Sequence, residues 1–220
     1  MPYTQDAIGN LAELSNIEKS RFAYLAVTGK LENAIRDHLA FTIQSSRGDV
    51  LVGRDITLAG VGPAANGQGA AQAPRFDLVV FDQNGNLEEV TEAKQFYTFD
   101  YRPNQPASVV REVREKVLSD ANRLKVVTQH APNAVVNLLL LVCHATADNV
   151  ADHYDRVSKY DLHRPARHQI KDFTAEIAAG FAGALPGWQW NRFKCINLGR
   201  CFGIDVGVTP IFASIEMQQG

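Results

Sequence analysis

Two strand-like runs, residues 75–82 and 87–95, are separated only by Gln83, Asn84, Gly85 and Asn86. Asn-Gly between such runs is the strongest short-range hairpin signal, because both residues accept the positive φ that a two-residue turn demands. With Asn84 and Gly85 as the centre of a type I′ turn, Gln83 opposes Asn86 and paired residue numbers sum to 169. That register sets Asp77 directly opposite Glu92.

The rest of the chain supplies elements to pack around this hairpin. From Ile17 to Ser45, Phe22, Leu25, Ala26, Leu31, Ile35, Leu39 and Ile43 recur near helical spacing, and Gly29 marks a break between two helices. Residues 49–58 read as a strand, and Ala59 to Pro74, almost wholly Gly, Ala, Pro, Asn and Gln, as a loop. Ala107 to His130 carries an apolar stripe with basic flanks, predicting an amphipathic helix. The continuous apolar run from Ala134 to Ala145 predicts a strand buried on both faces. A helix from Pro165 to Leu185 is expected next, followed by strands near 193–198, 202–208 and 211–217.

At 220 residues and 45% hydrophobic content, the chain can bury one sizeable core without staples. We expect one domain over 1–220, with a core at about 17–145 and an extension from about 146 to 220. Three cysteines are an odd number, and Cys143 sits inside the apolar run, which favours a reducing compartment. Cys195 and Cys201 have no His between them, which argues against zinc. No run reaches the roughly 20 apolar residues of a membrane span, and the expectation is a soluble, cytoplasmic protein. Residues 1–100 carry 8 Lys and Arg against 13 Asp and Glu, whereas 101–220 carry 14 against 11. Arg156, Lys159, Arg164, Arg167 and Lys171 form the densest basic cluster, either a solvated helix face or a phosphate-contacting patch.

The period of two in a strand puts Lys94 on the same face as Glu92, one step further along. Two carboxylates facing each other repel, and a bound cation is one arrangement that explains them. Hard cations such as Mg²⁺ take one or two carboxylates and complete their shell with water and phosphate oxygens. The alternative is a surface ion-pair cluster in which Arg75 and Lys94 neutralise Asp77 and Glu92.

The order helix, three strands, helix, strand, with Asp77 at the start of the second strand and Glu92-Ala93-Lys94 at the end of the third, resembles the αβββαβ core of the PD-(D/E)xK, or restriction-endonuclease-like, nucleases. The resemblance covers roughly residues 17 to 145. It implies an α/β fold with a mixed central sheet flanked by helices, plus a C-terminal helix and strands. It also implies that Asp77 and Glu92 are metal ligands, that the Ala93 carbonyl is a third, and that Lys94 is the catalytic lysine. Glu32, on the first helix, is the candidate for a further acidic residue. Phe76 stands where the family's name has Pro, a variable position, and no Gln-x-x-x-Tyr pattern follows Lys94.

The function so implied is a Mg²⁺-dependent endonuclease, with Mn²⁺ able to substitute, that hydrolyses DNA. The alternatives are an inactive nucleic-acid-binding or structural member of the fold, and an RNA-directed or secreted effector nuclease. The expected partner is nucleic acid, DNA ahead of RNA, with no membrane; a homodimer is left open.

Overall fold

The computed structural model describes residues 2–58, 74–98, 107–146 and 174–215. The expected loop from Ala59, up to residue 73, and the basic cluster at 156–171 lie outside the described residues.

Helix α1 (Tyr3–Gly9) and a short 3-10 turn lead into α2 (Asn16–Val27). Ser15 and Glu18 form a reciprocal cap at the start of α2, each side chain accepting the other's backbone N–H. Gly29, at a φ of 72°, ends α2, because the left-handed turn needed there is costly for a residue with a Cβ. Helix α3 (Leu31–Ser46) follows, then β1 (Val50–Thr57), β2 (Arg75–Asp82) and β3 (Leu87–Tyr97). Helix α4 (Ala107–His130) crosses over to β4 (Val135–Thr146), and α5 (Thr174–Ala184), β5 (Gln189–Arg192), β6 (Ile196–Cys201) and β7 (Ile204–Ile215) complete the described chain.

Seven strands form one mixed sheet in the order β1-β2-β3-β4-β7-β5, with β6 also on β7. Among the described residues the one parallel pair is β3 with β4, the pair bridged by the α4 crossover. Strand β4 is buried on both faces, as its apolar run predicts. Leu139, Leu141 and Cys143 pack with α1, α2 and α3, while Leu138, Leu140 and Val142 pack with α4 and α5. Among the described residues no helix is long and apolar enough to cross a membrane.

The hairpin is present, but its turn differs from the expected type I′. Asp55 and Phe202 are the described non-glycine residues with positive φ, so Asn84 does not adopt the conformation that type requires. Instead Gly85, at a φ of 82°, donates its N–H to the Asp82 carbonyl, and the Asp82 carboxylate accepts from the backbone N–H groups of Asn84 and Asn86. This longer turn pairs Phe81 with Leu87, one step off the expected register. A bulge before Val80 takes up one residue, and Val80↔Glu89, Val79↔Val90 and Leu78↔Thr91 then sum to 169. The register toward the site is therefore the expected one, reached by a different route.

The C-terminal strands also depart from the sequence reading. Strand β7 runs unbroken through Pro210, where two strands were expected. Its outer partner changes there, from β6 up to Val208 to β5 from Ile211 onward, so the missing proline N–H interrupts no ladder. Strand β5 was not anticipated. Of the helix expected over 165–185, the described part is α5.

Candidate active site

The Cα pairing of β2 with β3 stops at Leu78↔Thr91, so Asp77 and Glu92 are not a ladder pair as the sequence register suggested. Beyond that point β3 has backbone N–H groups on its β2 side that need acceptors. Asp77 Oδ2 accepts from the Ala93 N–H at 2.9 Å, and Glu32 Oε2 accepts from the Gln95 N–H at 2.8 Å. Gln95 reciprocates, its Oε1 accepting the N–H groups of Leu31 and Glu32 at the N-terminus of α3. The parting of the two strands thus fixes Asp77 and Glu32 against the same stretch of β3.

Glu92 points to the opposite sheet face from Ala93, toward α4, and its side chain is only 2% exposed. Its carboxyl faces that of Asp77 within hydrogen-bonding range. Burial first, and then the neighbouring Asp77 charge, push the Glu92 carboxyl from the ordinary 4.5 up to about 9; the Arg123 guanidinium offsets this only in part. Glu92 is therefore protonated near neutral pH when no cation is bound.

Lys94, one step along the same face, reaches Asp120 Oδ2 at 3.2 Å and Glu32 Oε1 at 3.9 Å, and donates to the Ala93 carbonyl at 3.1 Å. Burial works against its charge, but Glu32, Asp120 and Asp77 together outweigh that and hold its pKa above the ordinary value. Glu32 moves upward through burial, opposed by Lys94.

Four charged neighbours were not singled out from the sequence. Arg36 on α3, one turn after Glu32, donates to Asp55 at 2.9 Å and to Asp77 at 3.4 Å. Asp55 sits on β1 opposite Asp77 in the numbering of that pairing, but is skipped by it, with a φ of 54°. On α4, Arg123 bridges Glu92 and Asp120, the latter at 3.0 Å. Asp120 had a legible signal, since it interrupts the apolar stripe of Val117, Ala121 and Leu124 and is itself buried.

Of the sequence candidates, Asp77, Glu92, Ala93, Lys94 and Glu32 all lie around the parting of β2 and β3. Among the described residues no group of three or more His, Cys, Asp or Glu side chains is disposed to hold a metal ion. The carboxylate pair with the Ala93 carbonyl is a smaller donor set. It suits a hard cation that keeps several waters, as Mg²⁺ does, and does not suit a full protein cage. No family model, no curated protein and no solved structure matches this chain.

Proposed function

We propose that the protein is a Mg²⁺-dependent nuclease of the restriction-endonuclease-like kind, hydrolysing DNA phosphodiester bonds at the Asp77–Glu92 pair. The observation that carries this reading is the convergence at the parted strands. Two facing carboxyl groups, a backbone carbonyl between them and the lysine, and a third acidic residue on the preceding helix meet at one place. The element order α3-β1-β2-β3-α4-β4 supports it, because it is the order the resemblance implies.

In this reading Asp77 and Glu92 hold the ion with the Ala93 carbonyl. When bound, the ion lowers the pKa of a coordinated water and neutralises charge on the phosphate. Lys94, kept as an ammonium between Asp120 and Glu32, orients the attacking water and stabilises the charge that builds on the phosphoryl oxygens. Glu32 fixes the end of β3 and the position of Lys94. Water oxygen bonds to phosphorus, the bridging ester oxygen leaves and takes a proton, and the attacking water's proton passes to solvent.

A second reading is favoured by one observation: an arginine already contacts each of the two carboxyl groups. That is how a nucleic-acid-binding member without catalysis would look. Incubation of plasmid DNA and a matched RNA with the purified chain in Mg²⁺, Mn²⁺ or EDTA separates the readings. Metal-dependent nicking abolished by EDTA supports the nuclease, and RNA cleaved in preference to DNA corrects the substrate. Binding without cleavage in either metal supports the second reading.

A further inference from the structure

The two arginines at the site share a pattern. Arg36 lies between an inner carboxylate, Asp77 at 3.4 Å, and an outer one, Asp55 at 2.9 Å. Arg123 lies between inner Glu92 and outer Asp120, the latter at 3.0 Å. Each inner acid belongs to the pair assigned to the metal, and each outer acid lies on a separate element, β1 or α4.

We infer that Arg36 and Arg123 are stand-in counter-ions of the Asp77–Glu92 pair, and that Asp55 and Asp120 are positioning residues that receive them when a divalent cation binds. This rests on the metal reading above. A cation entering between the inner carboxylates repels both guanidinium groups, and each has an acceptor already within ion-pair distance. For Arg123 the move is short, because Asp120 lies three residues before it on the same helix and the Arg123 side chain is 38% exposed, with room to turn. Asp120 Oδ2 is buried, ion-paired with Lys94, and accepts no well-aligned hydrogen bond, so Asp120 has spare acceptor capacity. The face of Phe76, 5.7 Å from the Arg123 guanidinium carbon, gives the displaced cation a further favourable surface.

Asp55 carries the clearest sign of purpose. A φ of 54° is costly for a residue with a Cβ, and such outliers persist where the surroundings hold them. Gly53 makes the distortion feasible, since a Cβ there would lie 2.5 Å from Ile56 Cγ1. This local distortion, which leaves the register with β2 unchanged, turns Asp55 to Arg36 at 2.9 Å and within reach of Arg75 at 3.2 Å.

The test is calorimetric titration of Mg²⁺ and of Mn²⁺ into the full chain, in alkaline buffer where protons compete least for the carboxylates. Arg123→Gln and Arg36→Gln should each bind metal about tenfold more tightly than wild type, since a competing cation is gone. Asp55→Asn should bind several-fold more weakly, because Arg36 is then left to Asp77; Asn keeps the left-handed backbone accessible. The double variant Asp55→Asn/Arg36→Gln should recover the tight binding. Residues with a merely structural role would shift affinity in the same direction in every variant. Metal-free Arg123→Gln should also melt below wild type and close that gap when metal is added. If Arg123→Gln does not fold, the Asp55 and Arg36 variants carry the same opposite-sign test. Wild type that binds metal while arginine variants bind no tighter overturns this inference and leaves the nuclease reading standing. Wild type that binds neither metal overturns both.

Discussion

Strand β3 carries two buried glutamates three residues apart, on opposite faces of the sheet, and they are held in contrasting ways. Glu89 accepts backbone N–H groups from Tyr3 at 2.6 Å and Thr4 at 3.0 Å, at the start of α1. These backbone dipoles have a geometry set by the helix, and the Thr91 hydroxyl adds a weaker contact at 3.4 Å. Glu92 has as partners another carboxyl and a guanidinium that is itself shared. Burial raises both carboxyls. The lesson is that burial alone does not mark a site: Glu89 is a docking point for α1, whereas Glu92 meets groups that have charged partners of their own.

The largest expected effect separates the two glutamates by activity. Glu92→Gln or Asp77→Asn should lower metal-dependent plasmid cleavage by on the order of a thousandfold, the effect of losing one metal ligand. Glu89→Gln should cleave at the wild-type rate per folded molecule. Equal losses at Glu89 and Glu92 would break the comparison. The next effect runs the other way. Glu89→Ala leaves two buried N–H groups without acceptors and should cost about 2–4 kcal/mol in urea unfolding. Asp77→Asn keeps an acceptor for the Ala93 N–H and should change stability far less.

A third expectation concerns pH in the absence of metal. The Glu92 carboxyl titrates near the ordinary 4.5 when unfolded and at about 9 when folded, so the folded state binds more protons across that window. Its contribution is fully present below the unfolded value and is lost as pH rises through the folded one. Wild-type melting temperature should fall on that account between roughly pH 4.5 and 9. Glu92→Gln, with no proton to lose, should flatten part of the fall, and the remainder should include Glu89, whose carboxyl is raised too. An unchanged slope in Glu92→Gln would mean that the proton is not held at this pair. The smallest effect belongs to the far end of the hairpin. Gly85→Ala should cost about 1–2 kcal/mol because of its positive φ, and leave cleavage unchanged, since nothing lies within 4 Å of the added Cβ.

How much of this was legible in the sequence follows from how local each signal is. The hairpin and β4 were read from an Asn-Gly pair and an apolar run, both local. The register was read correctly near the site although the turn type was not, because a bulge compensated for the longer turn. Pro210 misled, since its tolerance depends on the strands beside it and not on its neighbours in the chain. That Asp77, Glu92, Lys94 and Glu32 come together was legible through spacing and element order. Arg36, Asp55 and Arg123 were not, because their roles arise from how α3, β1 and α4 dock on the sheet, and a left-handed aspartate leaves no pattern in composition. Asp120 alone could have been found, as a carboxylate on an apolar stripe.

The distortion at Asp55 has a second effect, on how this protein meets other copies of itself. Strand β1 is the end of the sheet's described order and has a neighbour on one side only. A flat edge strand with regular N–H and C=O groups is a template for unwanted sheet extension and aggregation. The left-handed backbone at Asp55 breaks that regularity midway along the edge without shifting the register, and the charged residues Arg54 and Asp55 stand at the break. An Asp55→Gly chain would be released from the left-handed strain and free to straighten, and Leu51, already exposed on this strand, would then lie along a more continuous edge. Among the described residues, the irregular edge of the sheet and the geometry of the charged centre therefore meet at the same residue.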